Sequence, residues 1–162
     1  MRSSTSSREI LAFGALAGIA GGAAEVGWIS LYGTAKGIPL GPIARGIAGS
    51  VGPAMAASPW AVEIGILIHL GLAIALGISL ALAVPFTLRR LDVRRSELPA
   101  TILILAAVWA VNFLLVLPLI NPAFVHLLPY AVTLFSKLLF GFAAAVTFRA
   151  RRRLAQIPAR SI

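Results

Sequence analysis

The chain has 162 residues, of which 59% are hydrophobic and only 12% charged, with a mean hydropathy of +0.96 and a net charge of +9. Soluble domains carry about twice that share of charge, so the composition excludes a disordered chain and an ordinary soluble domain and points to an integral membrane protein. With no cysteine there is no disulfide, thiolate zinc site or cysteine nucleophile.

Residues 1–9 form a short tail carrying Arg2 and Arg8. The first apolar stretch, about 10–32, is followed by a Gly/Pro-rich connection, 33–59, and a second stretch, 60–85. A basic loop, 86–98, precedes a third stretch at about 99–120 and a fourth at about 124–148, and 149–162 is a basic tail. About 20 helical residues at 1.5 Å each cross a hydrocarbon layer of about 30 Å, and each stretch is that long. No segment alternates polar with apolar residues as a lipid-facing strand does. Helices satisfy their own backbone groups within lipid, so the expected fold is an all-α membrane protein of four transmembrane helices, arranged as two helical hairpins. The first stretch exceeds the apolar core of a signal peptide and contains Glu25, so it reads as a retained span.

Charge sets the expected orientation. Eleven arginines flank one side: Arg2 and Arg8, Arg89, Arg90, Arg94 and Arg95, then Arg149, Arg151, Arg152, Arg153 and Arg160. The other side has Lys36 and Arg45. The positive-inside rule then places both termini and the middle loop in the cytoplasm of a bacterial inner membrane. This accounts for the +9 charge through orientation and headgroup contact, without a specific nucleic-acid partner. Trp28, Tyr32, Trp60 and Tyr130 fall near the opposite ends of the spans, at the depth amphipathic rings prefer. Arginine outnumbers lysine twelve to two, as in GC-rich bacterial genomes.

A shift of 70 residues lays Pro59-Trp60-Ala61-Val62 on Pro129-Tyr130-Ala131-Val132, and Gly71, Ala73 and Ala75 on Gly141, Ala143 and Ala145. A shift of 87 lays Glu25 on Asn112. Each half then reads as one hairpin of a parallel repeat, with a pseudo-twofold axis along the membrane normal. The difference between the shifts is extra chain in the first outer connection. There, residues 42–49 read either as a loop on the outer surface or as a short interfacial or re-entrant helix. Asn121-Pro122 marks a tight turn between the last two spans.

Every span holds one conspicuous polar group in its apolar layer: Glu25, His69, Asn112 and Lys137. An ionisable residue at mid-membrane costs about 2.5–3.5 kcal/mol on insertion scales, so each demands an account. Counted from the outer ends at 1.5 Å per residue, Glu25, His69 and Asn112 lie about 10–13 Å deep and Lys137 about 19 Å deep. Small residues at helical spacing flank three of them. Ala17 and Gly21 share a stripe with Glu25; Gly65, Ala73 and Gly77 with His69; Thr133, Gly141 and Ala145 with Lys137. Gly14, Gly18 and Gly22 form a second small face on the first span. Small faces let helices approach closely in lipid. The expected centre is a Glu25–Lys137 ion pair with His69 and Asn112 hydrogen-bonded around it, serving either as interhelical glue or as a proton or cation relay. Glu63 and His126 read as interfacial residues.

Motifs for metalloprotease, hydrolase, nucleotide or dinucleotide chemistry are absent from the sequence, and no nucleophile–base pair or acidic dyad can be placed. His69 and His126 differ in depth and make a poor axial pair for haem. Glu25 and His69 supply two strong ligands, fewer than a structural zinc needs. The chain therefore reads as a non-enzyme with no catalytic residue, metal or cofactor. Two functions remain: an accessory or assembly subunit of a larger membrane complex, or a homo-oligomeric transporter or channel for protons, a cation or a small solute. Its expected partners are the lipid bilayer and other membrane subunits or copies of itself.

Overall fold

A computed structural model describes residues 7–90 and 97–155. Among these residues the secondary structure is helical, with no strand. Four helices are long and apolar enough to cross a membrane: Ser7–Lys36, Ala61–Pro85, Leu98–Ile120 and Tyr130–Arg151. Parts of the two tails and the arginine-rich residues 91–96 of the middle loop lie outside the described residues.

Helix α1 (Ser7–Lys36) runs past Gly33 and stops at Gly37, whose φ of 67° is open to glycine. There the Ile38 amide donates to the Gly33 carbonyl at 2.8 Å and the Gly37 amide to Thr34, a Schellman closure. Gly33 had marked the end of the span in the sequence. It stays helical and buried, and a Cβ there would stand 2.9 Å from the Ile38 carbonyl oxygen, so close approach rather than a turn calls for glycine.

The connection that follows is two short helices, α2 (Leu40–Gly49) and α3 (Pro53–Ala57), rather than a loop. Pro39 holds the extended backbone that precedes α2. Helix α4 (Ala61–Arg90) then returns antiparallel to α1 and continues through Pro85.

Helix α5 (Glu97–Val111) passes into a π turn, Asn112–Val116, then α6 (Leu117–Ile120). Pro118 explains the π turn. It has no N–H, and in an α-helix its ring would press on the Leu114 carbonyl. The wider turn is closed by the Leu117 amide donating to Asn112. Asn121 ends α6 and caps α7 (Pro122–Val125), accepting from the Phe124 amide at 3.2 Å. Helix α8 (Tyr130–Ala155) begins after Pro129, so Phe124 belongs to the hairpin tip and not to the fourth span.

The basal end of the bundle holds the start of α1 and the end of α8; the distal end holds α2, α3 and α7. Helix α1 is central, between α4 and α8. Its glycines set that position. A Cβ on Gly14 would stand 2.7 Å from the Ile78 Cα, and one on Gly18 2.7 Å from the Ile74 Cα. Gly77 answers from α4 against the Gly14 and Gly18 backbone, and Gly21 takes the Phe140 ring of α8. In lipid, such close packing substitutes for a hydrophobic drive between helices. Ala17, Ala73, Leu80, Val84, Leu105, Phe140, Ala144 and Phe148 close the basal half into one core.

Helix α5 has no glycine and sits at the periphery, packed chiefly on α8 through Leu105 and Ile102 against Gly141. Its outward face, including Leu103, Val108 and Val111, is exposed. At the distal end Gly65 lets α2 press its Ala44 backbone onto α4. Asn121 Nδ2 fixes α2 from the other side, donating to the Gly46 carbonyl at 2.9 Å and Ser50 Oγ at 3.1 Å.

Candidate functional site

Antiparallel register between α1 and α8 determines what meets Glu25. Trp28 Nε1 donates to the Val132 carbonyl at 3.1 Å, and Gly21 lies against Phe140. Glu25, midway between Trp28 and Gly21, therefore opposes Ser136 and Lys137. Lys137 Nζ stands 2.7 Å from Glu25 Oε1, with the two side chains 18% and 6% exposed. Their match in depth follows from the start of α8 at Tyr130, which puts Lys137 about 10 Å into its helix rather than 19 Å.

Ser136 Oγ lies 3.5 Å from the same carboxylate oxygen and 2.7 Å from the Thr133 carbonyl. A hydroxyl has one proton, and the shorter contact takes it. Lys137 is thus the main partner of Oε1. Its ammonium also lies 5.6 Å from the centroid of the Phe140 ring, within cation–π range. Glu25 Oε2 is buried and finds no hydrogen-bond partner among the described residues.

His69 approaches α1 from α4. Gly18 meets Ala73 and Ile74, so His69, one turn distal on α4, meets Gly22. Its Nε2 is 3.8 Å from the position a Gly22 Cβ would take. This nitrogen is also buried without a hydrogen-bond partner among the described residues. Gly22 precedes Glu25 by three residues, a spacing that puts both on one side of α1.

Asn112 is not part of this level. Trp109 Nε1 donates to Thr133 Oγ1 at 3.0 Å, and Leu105 meets Gly141, which brackets Lys137 between them. Asn112 lies about 8 Å distal of that level at 1.5 Å per residue, half-buried at the start of the π turn. The expected ring of four polar groups is therefore a level of three, with His69 adjacent to the ion pair but not hydrogen-bonded to it. Equal depth per span had ignored the stagger between α5 and α8.

Gly14, Gly18, Gly21, Gly22, Gly77 and Gly141, which form the small faces read from sequence, lie at contacts between the spans, and Gly65 contacts α2. Aromatic rings line the distal side of the centre: Trp28 packs on Phe135 at 4.6 Å, and Trp109 on Phe113 and Tyr130 at 5.8 and 6.0 Å. The structural roles of Ser136, Trp28 and Trp109 were not read from the sequence. One signal was available for Ser136, since it neighbours Lys137 and precedes Phe140 by one turn. Glu63 and His126 are exposed, and His126 borders a shallow cavity of about 320 Å³ with Val125, Leu128, Pro129 and Tyr130. Among the described residues no three His, Cys, Asp or Glu side chains gather as a metal site.

No protein-family model matches the chain, and neither a curated protein nor a solved structure shows significant similarity to it.

Proposed function

We propose that this chain is a small multi-pass transport or relay protein in which Glu25, Lys137 and His69 handle a proton or a small cation. One observation carries this reading: among the described residues, the charged pair within the apolar layer keeps a carboxylate oxygen without a hydrogen-bond partner, and an imidazole nitrogen likewise without one lies beside Gly22, one turn from Glu25. An ion pair kept only for adhesion gains little, because apolar residues of similar volume replace such pairs at little or no cost. The glycine seams already hold α1 against α4 and α8. Four helices enclose only a narrow space, so a single copy suits a proton or small ion better than a sizeable solute. In this reading the positive-inside rule directs the basal end to the bacterial cytoplasm, and the hairpin repeat relates α1–α4 to α5–α8. The role needs no enzyme chemistry and no cofactor.

The test is ion flux in proteoliposomes carrying a pH-sensitive dye. Flux that Glu25→Gln and His69→Ala each abolish supports the relay; flux unchanged by both removes Glu25 and His69 from it. A second reading, an accessory subunit of a larger complex, draws on the broad exposed face of α5, which packs on one side only. It requires a second polypeptide at fixed stoichiometry in native mass spectra of gentle extracts. A chain that always purifies alone counts against it.

A further inference from the structure

Glu25 Oε2 and His69 Nε2 are the two buried side-chain polar atoms without a partner among the described residues. Both belong to side chains that lie on one side of α1 within one helical turn, since His69 Nε2 is 3.8 Å from the Cβ position of Gly22. Cβ atoms three residues apart on a helix are about 5–6 Å apart, so the imidazole edge and Glu25 occupy neighbouring positions along the same turn of α1. Buried polar groups are rarely left unpaired, and an internal water with two or more polar partners is the usual remedy. Glu25 is 4% exposed, so bulk solvent does not serve instead.

We infer that one water molecule bridges Glu25 Oε2 and His69 Nε2, and that this water carries a proton from the imidazole to the carboxylate. This deepens the relay reading and rests on it, naming the proton as the species moved. In the transfer, the imidazolium N–H bond breaks and its proton joins the water as one of the water's own protons bonds to Oε2. The imidazole becomes neutral, the water is regenerated and the carboxylate becomes a carboxylic acid. No other reactant is required. Neutral Glu25 no longer holds Lys137 as a counter-ion, and the lysine's flexible stem lets the ammonium move away. Arrival of one proton thus breaks the ion pair between α8 and α1 at the centre of the bundle.

Few charges face His69 to compete with this path. From α1 comes Glu25, with Lys137 of α8 behind it. Arg45 of α2 is exposed and donates to the Ala56 and Ser58 carbonyls. Helix α3 and residues 98–111 of α5 carry no ionisable group, and Glu63 on α4 itself is exposed.

The experiment is infrared difference spectroscopy of the full chain in lipid nanodiscs after a pH step. It uses the wild type, Glu25→Gln, His69→Phe and His69→Gln. The wild type is expected to show the carbonyl stretch of a protonated carboxyl, absent from Glu25→Gln. It should also show a water O–H stretch that shifts in ¹⁸O water and is lost in His69→Phe. His69→Gln should keep the water band, because an amide still binds water, yet slow carboxyl protonation by about a hundredfold, the lower range for a positioned proton-transfer group. A wild type that shows no carboxyl band at any pH overturns the proposal. So does a water band that persists in His69→Phe, or carboxyl protonation at the wild-type rate in His69→Gln. Failure of the relay reading looks different: both bands appear, but vesicles show no flux. Flux that depends on Glu25 while the bands ignore His69 sinks the bridging water and leaves the relay.

Discussion

Removing one partner of the Glu25–Lys137 pair should be far more damaging than removing both. Replacing Lys137 by Met leaves Glu25, whose side chain is 6% exposed, with only the 3.5 Å contact to Ser136. Breaking a buried pair from one side costs about 3–5 kcal/mol in water-soluble proteins. Interhelical polar contacts within membranes measure lower, averaging about 0.6 kcal/mol, because the reference state also finds partners. A full charge left in place exceeds that average, so we expect about 3 kcal/mol for Lys137→Met, somewhat over a hundredfold in the folding equilibrium. Glu25→Gln should cost less, about 1–2 kcal/mol, because the lysine is 18% exposed and its stem can carry the ammonium toward water. The double variant Glu25→Gln/Lys137→Met leaves no buried charge and should fall within about 1 kcal/mol of the wild type.

Unfolding of the chain in mixed detergent micelles, followed by the fluorescence of Trp28 and Trp109, measures all four corners of this cycle. The expected coupling is about 3 kcal/mol, the excess of the two single losses over the double loss. Losses that simply add refute the pairing, as does a double variant that inserts or folds less well than either single variant.

Three further outcomes follow from contacts elsewhere. Gly18→Ala places a methyl 2.7 Å from the Ile74 Cα and should cost about 1–3 kcal/mol, whereas Gly71→Ala points into open space and should be neutral or stabilising; equal thermal shifts would contradict the glycine seam. Asn121→Ala removes the cap of α7 and both bonds to α2, so it should cost about 1 kcal/mol and raise hydrogen exchange across residues 40–49; unchanged exchange there would detach α2 from that side chain. Pro118→Ala restores an N–H and should let the π turn relax to α-helix, protecting the amide of residue 118; an amide that exchanges freely would mean that something other than the proline holds the turn.

Hydropathy alone located the four spans, and four-residue spacing found the glycine faces, because both depend only on local composition. Boundaries were less legible where the chain stays apolar through a turn. Pro122-Ala123-Phe124-Val125 reads as membrane-compatible helix, so hydropathy carries the fourth span back to Phe124 in the hairpin tip. The better signal was Pro129, which already began the matched Pro-aromatic-Ala-Val segments. Gly33 misled in the same way, since a glycine ends a helix only where a left-handed residue is needed, and that residue is Gly37. Within the site, Glu25 and Lys137 stood out because charge in an apolar span is rare. The separation of Asn112 from them depends on how α5 staggers against α8, which no single-span pattern encodes.

The position of the centre along the bundle bears on how it could work. Below it, toward the basal end, Ala17, Leu105, Phe140 and Ala144 are fully buried in an apolar core, and Thr101 of α5 is a fully buried polar side chain in the same half. Beside and above it, Lys137 retains some exposure, His69 is half-buried, and the helices are joined by aromatic edges and α2 rather than by glycine contacts alone. In the proposed relay, this conformation offers the centre to the distal side, and the core around Phe140 separates it from the basal side. In that reading, transfer onward passes the Phe140 ring, which packs on Gly21 and lies beneath the Lys137 ammonium. Loss of the Glu25 charge would free Lys137 from the position above Phe140, so proton arrival and basal opening act on the same residues. A structural ion pair has no need of that coupling; a relay that must not leak does.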